Sequence, residues 1–146
     1  MTTPETLLSA LGKTLNTELA LENGVCALFD KDREVAIIEI PPAGDVAIVH
    51  CRLPLRADPG GYERLLRWNF DTGAMHGCWL ALDERSHVRL CAETALDSLS
   101  ESAFVHWVQG FVRQTREIPG MLRMASDRPA TPPASGLRMP GLARSV

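Results

Sequence analysis

Apolar residues recur along this chain in two rhythms. Near the N-terminus Leu7, Leu8, Leu11, Leu15 and Leu19 lie one, three and four positions apart, which lays them along one stripe of an amphipathic helix. Thr3-Pro4-Glu5 supplies the start of that helix: a hydroxyl cap, a proline in the first turn and an acid at the positive end of the dipole. The spacing predicts a helix over residues 4–16. After the turn Glu22-Asn23-Gly24 the rhythm shortens to strand-like runs at 25–30, 34–40 and 46–55. A polar reversal at 30–33 and the breaker Pro41-Pro42-Ala43-Gly44-Asp45 separate them. Links this short join antiparallel neighbours, not βαβ units. Asp58-Pro59 opens a second helix with its body at 62–70, and a loop at 71–77 leads to two more strands, 78–83 and 88–95. Ser98 and Glu101 have the spacing of a capping box. Phe104, Trp107, Val108, Phe111, Val112 and Thr115 share one face of the third helix, which Pro119-Gly120 is expected to end. The predicted class is α+β, in the order α-β-β-β-α-β-β-α: a twisted antiparallel sheet with three helices.

The strands are apolar on both faces. Cys26, Leu28, Ala36, Ile38, Ile40, Ala47, Val49, Cys51 and Leu53 fall on one face. Val25, Ala27, Phe29, Val35, Ile37, Val46 and Ile48 fall on the other, interrupted by Glu39, His50 and Arg52. An antiparallel sheet with one wet face alternates cleanly, and this one does not. The outward set Val25, Phe29, Val35, Ile37 and Ile48 is therefore a candidate binding surface. The leucines at 7, 11 and 15 are a second. An extended segment fits such a surface by adding a strand to a free edge and seating alternate side chains in apolar pockets.

The second helix poses a different problem. Tyr62, Leu65, Leu66, Asn69 and Phe70 lie within one broad stripe, and Trp68 projects about 120° from its middle. A helix this short cannot hide both against one sheet. A second copy of the chain, meeting itself across a two-fold axis, is the simplest partner for Trp68. The alternative is that Trp68 lies flat on its own rim.

Composition narrows the class. At 146 residues with 45% apolar and 23% charged residues, the chain is long enough to build a core without staples. No run approaches the ~18 apolar residues that cross a bilayer, and the N-terminus has neither the basic nor the apolar region of a signal peptide. A cytoplasmic protein without membrane insertion is expected. Residues 1–122 carry eleven Lys/Arg against seventeen Asp/Glu, a net −6, whereas residues 123–146 carry +3. An acidic body disfavours nucleic acid as the main ligand. Residues 123–146 hold four prolines beyond Ser126 and no periodicity, and are expected to form a flexible tail on a 1–122 domain.

Chemistry is sparse. Cys26, Cys51, Cys78 and Cys91 stand singly in or beside apolar runs, without CxxC spacing, and read as small core residues. His50 and Cys51 are neighbours on a strand, so they point to opposite faces. His76 and Cys78 flank Gly77 and are the better thiolate–imidazole candidate, but no orienting acid stands at a recognisable spacing. The His/Cys spacings match no zinc pattern, and Gly60-Gly61 lacks the lysine of a phosphate loop. No catalytic, cofactor or metal site is expected.

In these features the sequence resembles the class I type III secretion chaperones of the Tir-chaperone family, over about residues 5–118. The markers are the leucine-rich first helix, LALENGVCALFDKDREVAIIEI, the helix ERLLRWN, the pattern G-x-W-L-A-L-D before V-R-L, and a last helix opening LDSLSESAF. The resemblance implies a homodimeric, ATP-independent chaperone that binds the disordered N-terminal segment of a secreted effector. It implies a dimer contact built from the second helix and the strand after it, here Tyr62, Leu65, Leu66, Trp68, Asn69, Phe70 and Trp79. Effector segments would lie over the first helix and the sheet, with the secretion ATPase as a further candidate partner. The tail is longer than the family pattern. Two other readings stand beside this one: a YbjN-like small α/β adaptor unconnected with secretion, and a small Cys-dependent enzyme.

Overall fold

Thr3 begins the first helix with a reciprocal cap. Its hydroxyl accepts from the Thr6 N–H at 3.2 Å, and the Thr6 hydroxyl accepts from the Thr3 N–H at 2.9 Å. The computed structural model describes residues 2–56 and 59–126, the side chains of 124–126 excepted. Helix α1 spans Pro4–Leu15 and ends where Asn16 turns left-handed. The chain then doubles back against the helix. The Thr17 N–H donates to the Gly12 carbonyl at 2.9 Å, and a β-carbon at Gly12 would sit 2.5 Å from the Thr17 oxygen. Leu19 therefore leaves the helical stripe that its spacing suggested.

Strands β1 (Val25–Asp30), β2 (Arg33–Glu39) and β3 (Val46–Arg52) form an antiparallel meander. Helix α2 (Pro59–Phe70) and a single turn, α3 (Thr72–Met75), lead to the hairpin β4 (Trp79–Leu82) and β5 (Val88–Ala95). The hairpin joins the meander through β5, so the sheet order is β1-β2-β3-β5-β4 and the edges are β1 and β4. Helix α4 (Glu101–Ser126) closes the described chain.

All nine residues assigned to the first face are buried, joined there by Leu80, Val88, Leu90 and Ala92. Helices α1 and α4 cover this face with Leu7, Leu8 and Leu11 and with Phe104, Val108, Phe111, Ile118 and Leu122. Among the described residues no helix lies across the centre of the outer face.

Several expectations need correction. Asp71 accepts from the Ala74 N–H at 3.1 Å and caps α3, whose Met75 is buried, inside what was read as a loop. Ser98 does not cap α4, because its φ is 60°. Ser100 does so instead, its hydroxyl accepting from Ala103 at 3.0 Å. Nor does α4 stop at Pro119. Ile118 and Leu122, four apart, both enter the core, and the Arg123 guanidinium donates to the Pro54 carbonyl at 3.0 Å. Those contacts offset the ~3 kcal/mol that an interior proline costs. Residues 123–126 thus belong to a helix, and the rest of the expected tail, 127–146, lies outside the described residues. Cys26 and Cys51 are core residues as read, whereas Cys78 and Cys91 are only half-buried.

Candidate binding surfaces

At the β4 edge, α2 runs beside the strand and presents an inner seam of Gly61, Leu65 and Trp68, at spacings of four and three. Gly61 is buried, and Leu65 and Trp68 are half-buried against the core. Of the two placements left open for Trp68, the structure has the second. The broad stripe faces outward in part, with Leu66 69% and Phe70 88% exposed, while Trp68 packs on its own domain. Helical periodicity defines both stripes equally well, and only the position of the sheet selects one. Asn69 sits between them and turns its amide on the strand edge: it donates to the Leu80 carbonyl at 3.0 Å and accepts from the Leu80 N–H at 2.7 Å. Leu82 and Trp79 are exposed on β4, and a 250 Å³ hollow between the elements is lined by Tyr62, Leu65, Leu66 and residues 80–82. Leu82 was not singled out from sequence, since it shares parity with buried Leu80. Its exposure comes from lying at the end of an edge strand.

The opposite edge carries the second surface. Val25 and Phe29 of β1 are exposed, Phe29 by 62%. Ile37 and Ile48 stand half-exposed on the outer face. Leu28 pairs with Ala36 but Phe29 with Glu34, so Val35 is the extra residue of a β-bulge and packs half-buried against the core. Of the three helical leucines expected to bind, Leu7 and Leu11 are wholly internal and have no surface to offer. Leu15, in the last turn of α1, is 43% exposed. It opens onto a groove of 590 Å³ bounded by α1, β1 and α4, with Leu19, Phe29, Val108 and Val112 in its walls. The contribution of α4 was not read from sequence, where its apolar face served only as core.

A polar seam crosses the outer face between the two surfaces. Arg89 donates through Nη1 to Glu34 Oε1 and through Nε to Asp83 Oδ2, both at 3.0 Å. The same Nη1 lies 3.1 Å from His50 Nδ1, and His50 Nε2 lies 3.2 Å from Glu39 Oε1. A guanidinium only donates, so Nδ1 accepts and Nε2 carries the proton given to Glu39. The bulge at Val35 is what brings Glu34 opposite Phe29 and within reach of Arg89. At Asp83 the His87 N–H, ahead of Arg89 and the Arg85 N–H, holds the carboxyl well below the usual carboxylate range.

The groups that could have carried chemistry do not converge. Burial pushes the Cys78 and Cys91 thiols up to about 11 and raises those of Cys26 and Cys51. Such thiols are poor nucleophiles at neutral pH. His76 is exposed in the left-handed cap of α3. Among the described residues no three His, Cys, Asp or Glu side chains are grouped to hold a metal, and no helix is long and apolar enough to cross a membrane.

The described residues thus form an α+β domain with two separate apolar surfaces. The chain belongs to the Tir chaperone protein (CesT) family, whose model matches residues 6–118. No curated protein matches it. Among solved structures it is similar to the ExsC-ExsE complex, with a TM-score of 0.68 and 15% identity over 81% of this chain and 92% of that one. It is also similar to the Yersinia pestis type III secretion chaperone SycH in complex with a fragment of YscM2, at 0.58 and 17% over 77% and 97%. The HopA1-SchA chaperone-effector complex follows at 0.54 and 18% over 75% and 92%. Identities this low establish a shared fold.

Proposed function

We propose that this chain is an ATP-independent, cytoplasmic chaperone for a type III secreted effector, and that it works without catalysis. It acts as a two-fold homodimer and holds the effector's N-terminal segment extended and ready for export. The observation that carries this reading is the groove at the β1 edge: an open apolar channel beside an edge strand, in a chain of the CesT family. One neighbour of the same fold is a chaperone-effector complex, and another is a type III secretion chaperone in complex with a stable fragment of YscM2. An extended partner satisfies both halves of the feature, its backbone pairing with β1 and its apolar side chains entering the groove. Such a partner loses ordering entropy on binding, so a footprint of several tens of residues is expected. The acidic body favours basic flanks on it, and the secretion ATPase is the expected recipient of the complex.

Leu66, Phe70, Trp79 and Leu82 form the self-association surface in this reading. Burying Phe70 alone would contribute roughly 1.5–3 kcal/mol per copy.

Co-purification from the native host, with the captured segment mapped by limited proteolysis, tests the proposal. Wild-type chain should retain an N-terminal segment of one secreted protein, and Phe29→Asp should lose it with its circular dichroism unchanged. Capture of a folded domain, or equal capture by Phe29→Asp, would overturn the reading.

A further inference from the structure

The wall of the groove supplied by α4 leads out of the described structure. Val108, Val112 and Arg116 line the groove. The helix then runs ten residues further to Ser126, about 15 Å at ~1.5 Å per residue. Residues 127–146 follow, with the sequence DRPATPPASGLRMPGLARSV. We propose that this C-terminal segment is an intramolecular occupant of the groove. Leu137, Met139 and Leu142 cover Leu15, Phe29 and Val112 of the same chain until a longer partner displaces them. Displacement rests on the chaperone reading above; the docking itself does not.

Reach, charge and composition all favour this occupant. Eleven residues from Ser126 to Leu137 span up to ~36 Å when extended, more than twice the ~15 Å needed to return along α4. Residues 127–146 carry three arginines and one acid, and they face a body whose residues 1–122 sum to −6. Glu18 and Asp30 stand at the rim of the groove against the single cation Arg116. The four prolines of the segment disfavour helix and favour extended backbone, so less conformational freedom is lost when it docks. Its larger apolar side chains, Leu137, Met139 and Leu142, lie within six residues, matching the short apolar channel.

Tethering makes weak contacts sufficient. Covalent linkage that can span the distance gives an effective concentration of the order of mM, so a segment with a Kd near mM as a free peptide still occupies the groove about half the time. That occupancy shields exposed Phe29 and Leu15 from other copies, yet yields to a footprint of several tens of residues.

The full-length chain with the photo-reactive residue p-benzoylphenylalanine in place of Leu137 provides the test. Illumination at low micromolar concentration should link position 137 to residues 11–19, 28–35 or 108–116 of the same chain. Links elsewhere in the chain, links between copies, or no link would each overturn the proposal. A second readout uses the apolar dye 1-anilinonaphthalene-8-sulfonate. In the full-length Leu137→Asp/Leu142→Asp variant its fluorescence should rise several-fold with far-UV circular dichroism unchanged. Adding Phe29→Asp should remove that rise. Unchanged fluorescence in the tail variant would show that the segment covers nothing, whatever becomes of partner capture.

Discussion

The side-chain amide of Asn69 pairs with both backbone groups of Leu80, donating at 3.0 Å and accepting at 2.7 Å. An asparagine on α2 thus completes the hydrogen bonding that the edge strand β4 leaves open at that residue. Its own backbone stays helical while its amide imitates a neighbouring strand. Edge strands with unpaired groups invite uncontrolled pairing. Here one residue both satisfies the edge and fixes the distance from helix to strand.

Asn69→Leu should therefore cost about 1–3 kcal/mol, the penalty of stranding the polar groups of Leu80. Asn69→Asp keeps an acceptor for the Leu80 N–H but sets a carboxylate oxygen against its carbonyl, so it should fall in the same range. Urea denaturation measures both. A loss within ~0.5 kcal/mol for both variants would mean that water replaces the amide at no cost.

Phe70 and Trp68 are two positions apart and predict opposite outcomes. Phe70 is 88% exposed, so Phe70→Asp should leave thermal stability within a few degrees while converting a dimer to a monomer in light scattering. Trp68 packs on the core, so Trp68→Asp should lower the midpoint of unfolding regardless of concentration. Wild-type chain that is monomeric at tens of micromolar would remove the dimer proposal.

The leucines of α1 divide in the same way. Leu11 is fully buried, and Leu11→Ala should cost about 2–5 kcal/mol. Leu15→Ala should be nearly neutral in stability, because that side chain is half out of the core, but should weaken capture of the partner segment. Equal destabilisation by the two substitutions would place Leu15 in the core and remove it from the groove.

Asp83 gives a pH signature. Its carboxyl is held below the ordinary carboxylate range in the folded chain by the His87 N–H and then by Arg89 and the Arg85 N–H. A depressed folded-state value adds stability above the unfolded-state value and loses it as pH falls toward the folded one. The urea midpoint of Asp83→Asn should therefore lie below wild type near neutral pH. The gap should narrow in acid, below the ordinary carboxylate value of about 3.9. A gap that stays constant with pH would assign the effect to packing instead of charge.

Much of this architecture is written in local pattern. The nine residues of the buried sheet face, the cap at Thr3, and the bounds of β1 and β5 follow from period and capping chemistry, which depend on neighbours in sequence. Most of the outer apolar set was legible for the same reason: alternation shows that residues share a face whether or not anything covers it. Val35 was not, because the bulge takes it out of the alternation and onto the core. The fate of each face is a different kind of fact. Gly61-Leu65-Trp68 and Leu66-Phe70 are both helical stripes, and only the flank of β4 decides which one turns inward. Leu7, Leu11 and Leu15 form one stripe, but the core takes in two of them and leaves the third at the mouth of a groove. The order β3-β5-β4, the bulge that sends Glu34 to Arg89, and the passage of α4 through Pro119 are likewise settled by contacts distant in sequence. Periodicity determined which side chains travel together in this protein. Long-range packing, which alone removes a surface from water, decided which of them became core and which stayed free to bind.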